Sequence, residues 1–207
     1  MTHCTLGYDD ITLQLREAYD GSAAARDEEI KPSWKISERS AFLGRLKAED
    51  QRRLLEVGAG TGQDCLFFKD AGLDVVATDL SPKMVEHCRA KGLEAHAMDF
   101  LHLIFAPQSF DAVYSLNCLL HVPNADLPAV LAAIRMMLKP GGLFFLGMYR
   151  GEAFEGIRPN DWHDPPRFFS FRSDEQMMDF VRPLFEVVDF HVVSVGDMFF
   201  QSITLRV

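Results

Sequence analysis

Cysteine, basic residues and long apolar runs are scarce in this sequence, and each shortage excludes a class of protein. The four cysteines, at positions 4, 65, 88 and 118, form no Cys-x-x-Cys pair and have no histidines at zinc-ligand spacing. Neither a zinc site nor a disulfide framework is therefore indicated. We expect reduced and mostly buried thiols.

The net charge and the hydropathy of the sequence argue against nucleic acids and membranes as binding partners. The 30 acidic residues outnumber the 21 basic residues and give a formal net charge of −9, which repels nucleic-acid phosphates and anionic membranes. No segment approaches the roughly 18 consecutive apolar residues of a membrane span, and the first residues lack the pattern of an export signal. The sequence therefore predicts a cytoplasmic monomer or homodimer that binds neither nucleic acid nor membrane.

The order of apolar runs and helical segments predicts an α/β fold. With 207 residues and 48% apolar content, the chain can form one domain around one core. Strand-like runs alternate with helical segments from residue 52 onward, a pattern typical of parallel βαβ units. The predicted strands are Leu54–Val57, Val75–Thr78, Leu93–Ala97, Phe110–Leu116 and Gly142–Met148, and the helices between them are Thr61–Ala71, Pro82–Lys91 and Asp126–Leu138.

The end of the chain predicts an antiparallel hairpin. The runs Phe185–Val195 and Phe199–Val207 have no helix between them, so we expect them to pair through a turn near Gly196 and to complete a seven-stranded sheet. Residues 1–50 are predicted to be helical, chiefly at Trp34–Lys47. Residues 149–172 are predicted to form an irregular, aromatic-rich segment.

The segment Leu54–Gly62 joins an apolar strand to a glycine-rich turn that opens a helix. Glycine lets a ligand approach the backbone closely, and free N–H groups at a helix start favour an anionic or hydrogen-bond-accepting ligand. The turn has more glycine than packing requires, so we predict a ligand there. A dinucleotide fingerprint needs glycine at position 63, which is Gln63, and this disfavours NAD and FAD.

Carboxylates lie near the ends of the first three predicted strands. Asp79 ends the second strand, where it can accept hydrogen bonds from two ribose hydroxyls, and Glu56 lies two residues before Gly58. Asp99 and Phe100 follow the third strand and can contact the amino group and the face of an adenine. A strand-end aspartate equally often caps the next helix, and this alternative stays open for Asp99.

With these residues the chain resembles the class I S-adenosylmethionine-dependent methyltransferases of the small-molecule type, because Leu54–Gly62 matches their first motif and Asp79 their ribose-binding acid. The resemblance implies a Rossmann-like, doubly wound sheet of order 3-2-1-4-5-7-6 with strand 7 antiparallel. It implies S-adenosyl-L-methionine as cofactor, S-adenosyl-L-homocysteine as product, and an N-terminal helical lid whose Tyr8 or Tyr19 closes over the cofactor. The expected cofactor-binding residues are Glu56, Gly58, Ala59, Gly60, Gly62, Asp79, Leu80, Met84, Asp99, Phe100, Asn117 and Tyr19.

The fourth strand leads into Ser115–Pro123, at the expected mouth of the site. This segment lacks the Asn/Asp-Pro-Pro-aromatic motif of enzymes that methylate DNA bases or protein glutamine, and Cys118 lacks the preceding proline of cytosine-C5 enzymes. It also lacks the acids of magnesium-dependent catechol-type enzymes, so no metal is predicted. His121 is the candidate base for the methyl acceptor, or else a histidine that only hydrogen-bonds its loop.

The predicted function is transfer of a methyl group, by in-line displacement, to an O, N or S atom of a small-molecule acceptor. The expected substrate contacts are Trp34, His121, Tyr149, Trp162 and His163. Lys35 and Arg39 could reach the site from the lid side, and a solvated cationic face is the default alternative for their charges. The chain is predicted to be a single domain, 1–207, with a lid at 1–50, a cofactor-binding core at 51–207 and a substrate-cover loop at 149–172. The alternative is a non-catalytic cofactor-binding or regulatory protein on the same fold.

Overall fold

A computed structural model describes residues 7–158 and 160–207, and the expectation for Cys4 lies outside these residues. Two helices precede the sheet, and helices alternate with strands through its first half. The elements are α1 (Tyr8–Asp27), α2 (Ser33–Ala48), β1 (Arg53–Val57), α3 (Gln63–Asp70), β2 (Asp74–Asp79), α4 (Pro82–Ala90), β3 (Glu94–Ala97), β4 (Phe110–Leu116), a 3₁₀ turn (Leu119–His121), α5 (Leu127–Met137), β5 (Leu138–Arg150), β6 (Phe154–Ile157), β7 (Phe168–Phe171), α6 (Asp174–Val181), β8 (Glu186–Val195) and β9 (Met198–Arg206).

The main sheet has seven strands in the order β3-β2-β1-β4-β5-β9-β8. Strands β1 to β5 are parallel to one another, and β9 runs antiparallel to both β5 and β8. The predicted doubly wound α/β sheet is therefore confirmed, with β9 as the predicted seventh strand. The central strands β1 and β4 are almost wholly buried, as expected where helices cover both faces of a parallel sheet.

Local sequence signals fix several element ends. The Ser81 hydroxyl accepts a hydrogen bond from the Met84 N–H at 3.1 Å, with Pro82 in the first turn of α4. Helix α3 begins at Gln63 and not at Thr61, because the turn before it continues to Gly62 at φ +82°. Gly141 has φ +77°, and the turn around it shifts the register between β4 and β5.

Two predictions for the less regular regions are wrong, and one helix was not predicted. Helix α1 has 20 residues against 16 in α2, so N-terminal helicity is not chiefly at 34–47. Residues 149–172 contain an antiparallel pair of strands, β6 and β7. Helix α6 precedes the last hairpin and begins with a capping box, in which Ser173 and Gln176 each bond the other's backbone N–H.

Two apolar clusters fill the two faces of the sheet, one beneath α5 and α6 and one beneath α2, α3 and α4. A third cluster joins Ile11 and Leu15 of α1 to Phe168 of β7. Helix α1 and the β6–β7 hairpin therefore meet each other. Among the described residues, no helix combines the length and the apolar character that crossing a membrane requires.

Candidate functional site

A cleft opens at the carboxyl ends of β1, β2 and β4, beside the turn 58–62, and we call it the glycine cleft. Helix α1 contributes Leu15, Tyr19 and Arg26 to its wall. The structure brings most of the predicted cofactor-binding residues together there, namely Tyr19, Glu56, Gly58, Ala59, Gly60, Asp79, Leu80, Met84, Phe100 and Asn117. Gly62 and Asp99 are not among its lining residues.

The three glycines of the turn have different surroundings, so different physical reasons explain why glycine occupies each position. A Cβ on Gly58 would lie 2.4 Å from the Cys118 Cβ, and one on Gly62 would lie 2.9 Å from the Cys88 Sγ. Gly60 has no atom within 4 Å of an added Cβ. The expectation that packing does not require these glycines is wrong for Gly58 and Gly62, and open space beside the backbone exists at Gly60.

Asp79 ties the glycine turn to the end of β2. One carboxylate oxygen accepts from the Gly60 N–H at 2.8 Å and the other from the Ser81 N–H at 2.9 Å. Burial raises the pKa of Asp79, and these two backbone donors oppose the rise. Because each oxygen has accepted only one of these bonds, Asp79 keeps acceptor capacity toward the cleft.

Glu56 is a buried acid beneath the turn, with 3% of its surface exposed. The Cys65 thiol donates to its carboxylate at an Sγ to Oε2 distance of 2.8 Å. Burial is the largest cause that raises the pKa of Glu56 to about 8, and the charge of Asp64 adds to it. A cationic group of a ligand in the cleft would stabilise the ionised form.

Asp99 does not line the glycine cleft, and it does not cap a helix either, because no helix lies between β3 and β4. Its carboxylate accepts from the Leu101 N–H at 2.8 Å and contacts the His102 Nδ1 at 2.7 Å, so it bonds its own loop. Asn117 has the left-handed φ of +56°, and its side-chain oxygen is buried without a hydrogen-bond partner among the described residues. Such a combination is typical of binding sites, because it is retained only where the surroundings impose it.

The N-terminal segment is bound to the core by polar contacts. The Gln63 amide donates to the carbonyls of Asp27 and Glu29 at 3.3 and 3.0 Å, which gives position 63 a role that glycine cannot have. Asp64 accepts from Lys31 at 2.6 Å and from Arg39 at 2.7 Å. Arg39 is therefore a buried ion-pair partner, and the expectation of a solvated cationic face is wrong for it.

A second cavity adjoins the first, and we call it the aromatic cavity. Tyr149, Phe154, Phe169 and Phe171 contribute to its walls, and Tyr19, Asn117 and His121 line both spaces. Among the predicted substrate contacts, Tyr149 and His121 line this cavity, whereas Trp34, Trp162 and His163 do not. Trp34 packs behind Tyr149 with ring centroids 6.1 Å apart, and Trp162 is 66% exposed.

His121 lies in a hydrogen-bonded row. Its Nδ1 lies 2.6 Å from the Phe168 carbonyl oxygen, which can only accept, so Nδ1 carries the proton. Its Nε2 then accepts from the Tyr19 hydroxyl at 2.6 Å, and Arg167 donates to the same hydroxyl at 3.1 Å. Burial lowers the pKa of His121 to about 3, so the ring is neutral at physiological pH.

Two supporting residues gave no sequence signal. Arg167 donates from Nε and from its terminal nitrogen to the two oxygens of Asp161, at 2.7 and 2.8 Å, which orients it toward Tyr19. Arg172 is 1% exposed and donates to the Asn124 side chain at 2.7 Å and to the Val122 carbonyl at 2.6 Å. Arg172 therefore anchors the loop that carries His121.

Comparison with known proteins agrees with this geometry. Residues 54–142 match the family model of a methyltransferase domain. A ubiquinone biosynthesis O-methyltransferase of Xanthomonas oryzae pv. oryzae (strain PXO99A) is 38% identical over 101 residues, which cover 45% of this chain and 41% of the relative. The match thus spans less than half of that relative's length.

Solved structures share the whole fold. One is the Burkholderia thailandensis 1,6-didemethyltoxoflavin-N1-methyltransferase, solved with bound 1,6-didemethyltoxoflavin and S-adenosylhomocysteine. It has a TM-score of 0.77 at 19% identity, and the match covers 100% of this chain and 92% of that methyltransferase chain. The [4+2]-cyclase SpnF has a TM-score of 0.73 at 19% identity, and the match covers 94% of this chain and 95% of the cyclase chain. Residues 54–142 are therefore similar to the methyltransferase-domain family, and the whole chain shares the fold of these solved structures.

Proposed function

We propose that the protein is an S-adenosylmethionine-dependent methyltransferase that methylates an O, N or S atom of a small molecule. The observation that carries the proposal is the glycine cleft itself, which combines open backbone at Gly60 with the acids Glu56 and Asp79. The matched domain supports this assignment. Relatives named as an O-methyltransferase and an N1-methyltransferase leave the acceptor atom open.

The residues of the cleft fit the chemistry of the cofactor. Asp79 has acceptor capacity for ribose hydroxyls, and Glu56 for the cationic methionine end. Phe100 offers an apolar face for adenine, and the unpaired oxygen of Asn117 offers an acceptor for a ligand donor. When bound, S-adenosylmethionine supplies a methyl group on a sulfonium, which is already a good leaving group.

The chain's own contribution is then alignment and exclusion of water, effects that reach about 7–11 kcal/mol in well-oriented reactions. Helix α1 and the β6–β7 hairpin enclose the two cavities, so we assign residues 1–50 as the lid and 149–172 as the substrate cover of one domain. His121 reaches the acceptor side only past the Tyr19 hydroxyl, because Nε2 faces that hydroxyl. Any proton taken up by His121 would pass through Tyr19.

Calorimetric titration with S-adenosylhomocysteine tests the proposal. We expect micromolar affinity, and we expect Asp79→Ala to weaken it by about 10- to 150-fold, since a charge-assisted bond of roughly 1.5–3 kcal/mol is lost. Asp74→Ala is the matched control, because Asp74 is an exposed aspartate that begins β2, at the opposite end of the strand from Asp79. Unchanged affinity in Asp79→Ala, with a native circular dichroism spectrum, would remove Asp79 from the site.

A second candidate is a cofactor-binding protein that does not methylate. This candidate is supported by the fold that the chain shares with a protein named as a [4+2]-cyclase, because the same fold can serve different chemistry. Screening small acceptors with radiolabelled S-adenosylmethionine separates the two. Tight binding without label transfer to any acceptor would favour the second candidate.

A further inference from the structure

The aromatic cavity carries an excess of positive charge in a protein whose net charge is −9. Among the residues that the structure describes, five cationic side chains line it, namely Arg26, Lys35, Arg150, Arg158 and Arg167, against the single carboxylate of Glu29. An acidic protein that concentrates cations in one cavity attracts anions there.

Three of these cations have carboxylate neighbours. Arg150 pairs with Asp174, and Arg167 pairs with Asp161 at 2.7 Å. Arg26 lies 3.8 Å from Glu29. Because their charges are largely balanced within the protein, these three arginines do not by themselves require an anionic ligand.

Arg158 and Lys35 form no ion pair with any carboxylate in residues 7–158 and 160–207. The Arg158 guanidinium lies 5.6 Å from the Phe169 ring centroid and 5.9 Å from that of Phe171, at the cavity wall. The Lys35 ammonium lies 6.0 Å from the ring centroid of Tyr149 and 5.4 Å from that of Trp34. Burial, with Lys31 and Arg26 nearby, lowers the pKa of Lys35 to about 8.

The aromatic walls of the cavity suit a flat apolar group. The rings of Phe169 and Phe171 are stacked, with centroids 5.4 Å apart and an interplanar angle of 16°. Phe154 lies 6.3 Å from Phe171 by ring centroids and is 40% exposed. Aromatic faces of this kind bind planar ligands by stacking and burial of apolar area.

We propose that the methyl acceptor is a small molecule with a planar apolar part and an oxyanion, a carboxylate or a phosphate, that Arg158 binds the oxyanion in the aromatic cavity, and that the charge of Lys35 adds to the attraction for anions. This inference rests on the proposed methyltransferase function. Arg158 is its most specific element, since Arg158 lines only the aromatic cavity whereas Lys35 lines both spaces.

Isothermal titration with three matched probes tests the inference, using 1-naphthoate, 1-naphthyl phosphate and the neutral 1-naphthamide. Each is titrated into the full chain at low ionic strength, alone and with saturating S-adenosylhomocysteine. We expect at least one anion to bind about tenfold or more tightly than the amide, with the preference reduced by salt. The stronger anion identifies whether the carboxylate or the phosphate is favoured.

The variant Arg158→Gln removes the charge at an exposed position and keeps the side chain long. We expect it to weaken anion binding about 5- to 20-fold and to leave the amide unchanged. Arg52→Gln is the control, because it removes the same charge from an arginine that is 77% exposed and precedes β1, at the opposite end of the strands from the cavity. Its anion affinity should equal that of the wild type.

Equal affinity of the wild type for all three probes would overturn the inference, as would no anion binding up to millimolar concentration. An equal loss of anion affinity in Arg158→Gln and Arg52→Gln would show a general charge effect and would also overturn it. The parallel titration with S-adenosylhomocysteine reports separately on the proposed function, since that ligand is assigned to the glycine cleft.

Discussion

Glu56 is expected to release a proton when the cofactor or its product binds. Burial raises the pKa of this carboxyl to about 8, and the Cys65 thiol, Lys31 and Arg39 only partly oppose the effect of burial and of Asp64. The side chain is therefore mostly protonated at neutral pH. S-adenosylhomocysteine carries an ammonium group, and an ammonium against Glu56 favours the carboxylate form.

The size of the effect follows from the pKa. With a pKa of about 8, roughly 0.9 of the Glu56 side chains are protonated at pH 7 and about half at pH 8. If the bound carboxyl has a pKa near its ordinary value, binding at pH 7 releases about 0.9 proton. Affinity should then rise about 50-fold between pH 6 and pH 8, because fewer molecules must lose a proton before binding.

Calorimetric titration with S-adenosylhomocysteine at pH 7, in buffers of different ionisation enthalpy, measures the protons released. In Glu56→Gln the release should fall by about 0.9 proton and the Glu56-dependent rise of affinity with pH should vanish. The ligand's own amino group titrates identically in both proteins, so the difference between them isolates Glu56. Glu86→Gln, at an exposed position on α4, should match the wild type.

A stability measurement gives an independent check. An acid whose folded pKa lies above its unfolded value stabilises the fold below the unfolded pKa and loses that contribution as pH rises through the folded pKa. For Glu56 the window runs from the ordinary pKa of 4.5 to a pKa of about 8. Glu56→Gln should therefore gain thermal stability relative to wild type as pH rises from 5 to 8. Proton release that is the same in both proteins would refute the assignment of a neutral Glu56.

Two further predictions concern the acceptor side and the lid. His121→Ala should lower kcat by about 10²- to 10⁴-fold with little change in S-adenosylhomocysteine affinity, and Tyr19→Phe should lower kcat comparably if protons pass through the Tyr19 hydroxyl. Because the pKa of His121 is lowered to about 3, its titration should not reduce the wild-type rate between pH 5 and 9. A kcat within threefold of wild type in both His121→Ala and Tyr19→Phe would exclude a base role for His121. Asp27 forms a partly exposed ion pair with Lys91, with Nζ and Oδ1 2.5 Å apart, and such a pair contributes up to about 1 kcal/mol. Asp27→Asn should therefore speed hydrogen exchange of the α1 amides about two- to fivefold in the free protein. Glu28→Gln is the adjacent control, and equal exchange in Asp27→Asn and wild type would show that this pair does not hold the lid.

The regular part of the fold follows from local sequence because its signals are short-range. Apolar runs, the cap at Ser81 and the glycines at 72 and 92 each act within a few residues, and the parallel order follows from the alternation they create. Helix α6 also has a short-range signal, the capping box from Ser173 to Gln176, which sequence reading missed. The β6–β7 pair is harder to predict, since ten residues separate its strands.

The contacts of the acceptor side depend on pairs that lie far apart in the chain. Tyr19 and His121 are separated by 102 residues, and Tyr19 and Arg167 by 148. No periodicity or spacing encodes such a pair, so sequence could identify His121 as a candidate but not the hydroxyl that faces its Nε2. For the same reason, sequence could not decide whether Lys35 is solvated or reaches the site from the lid side, and the structure places it in the lining of both cavities beside Tyr149.

The glycine turn was correctly identified from sequence, but ligand approach explains only part of its glycine content. Gly58 and Gly62 are required by contact with Cys118 and Cys88, residues that lie on the loop after β4 and on α4. Those thiols also bond the turn, since Cys118 donates to the Val57 carbonyl at 3.1 Å and Cys88 to the Gly60 carbonyl at 3.2 Å. The thiols thus pack beneath the turn and hold its backbone in place. Packing below the turn and open space above Gly60 together produce the motif, and only the second of these concerns the ligand.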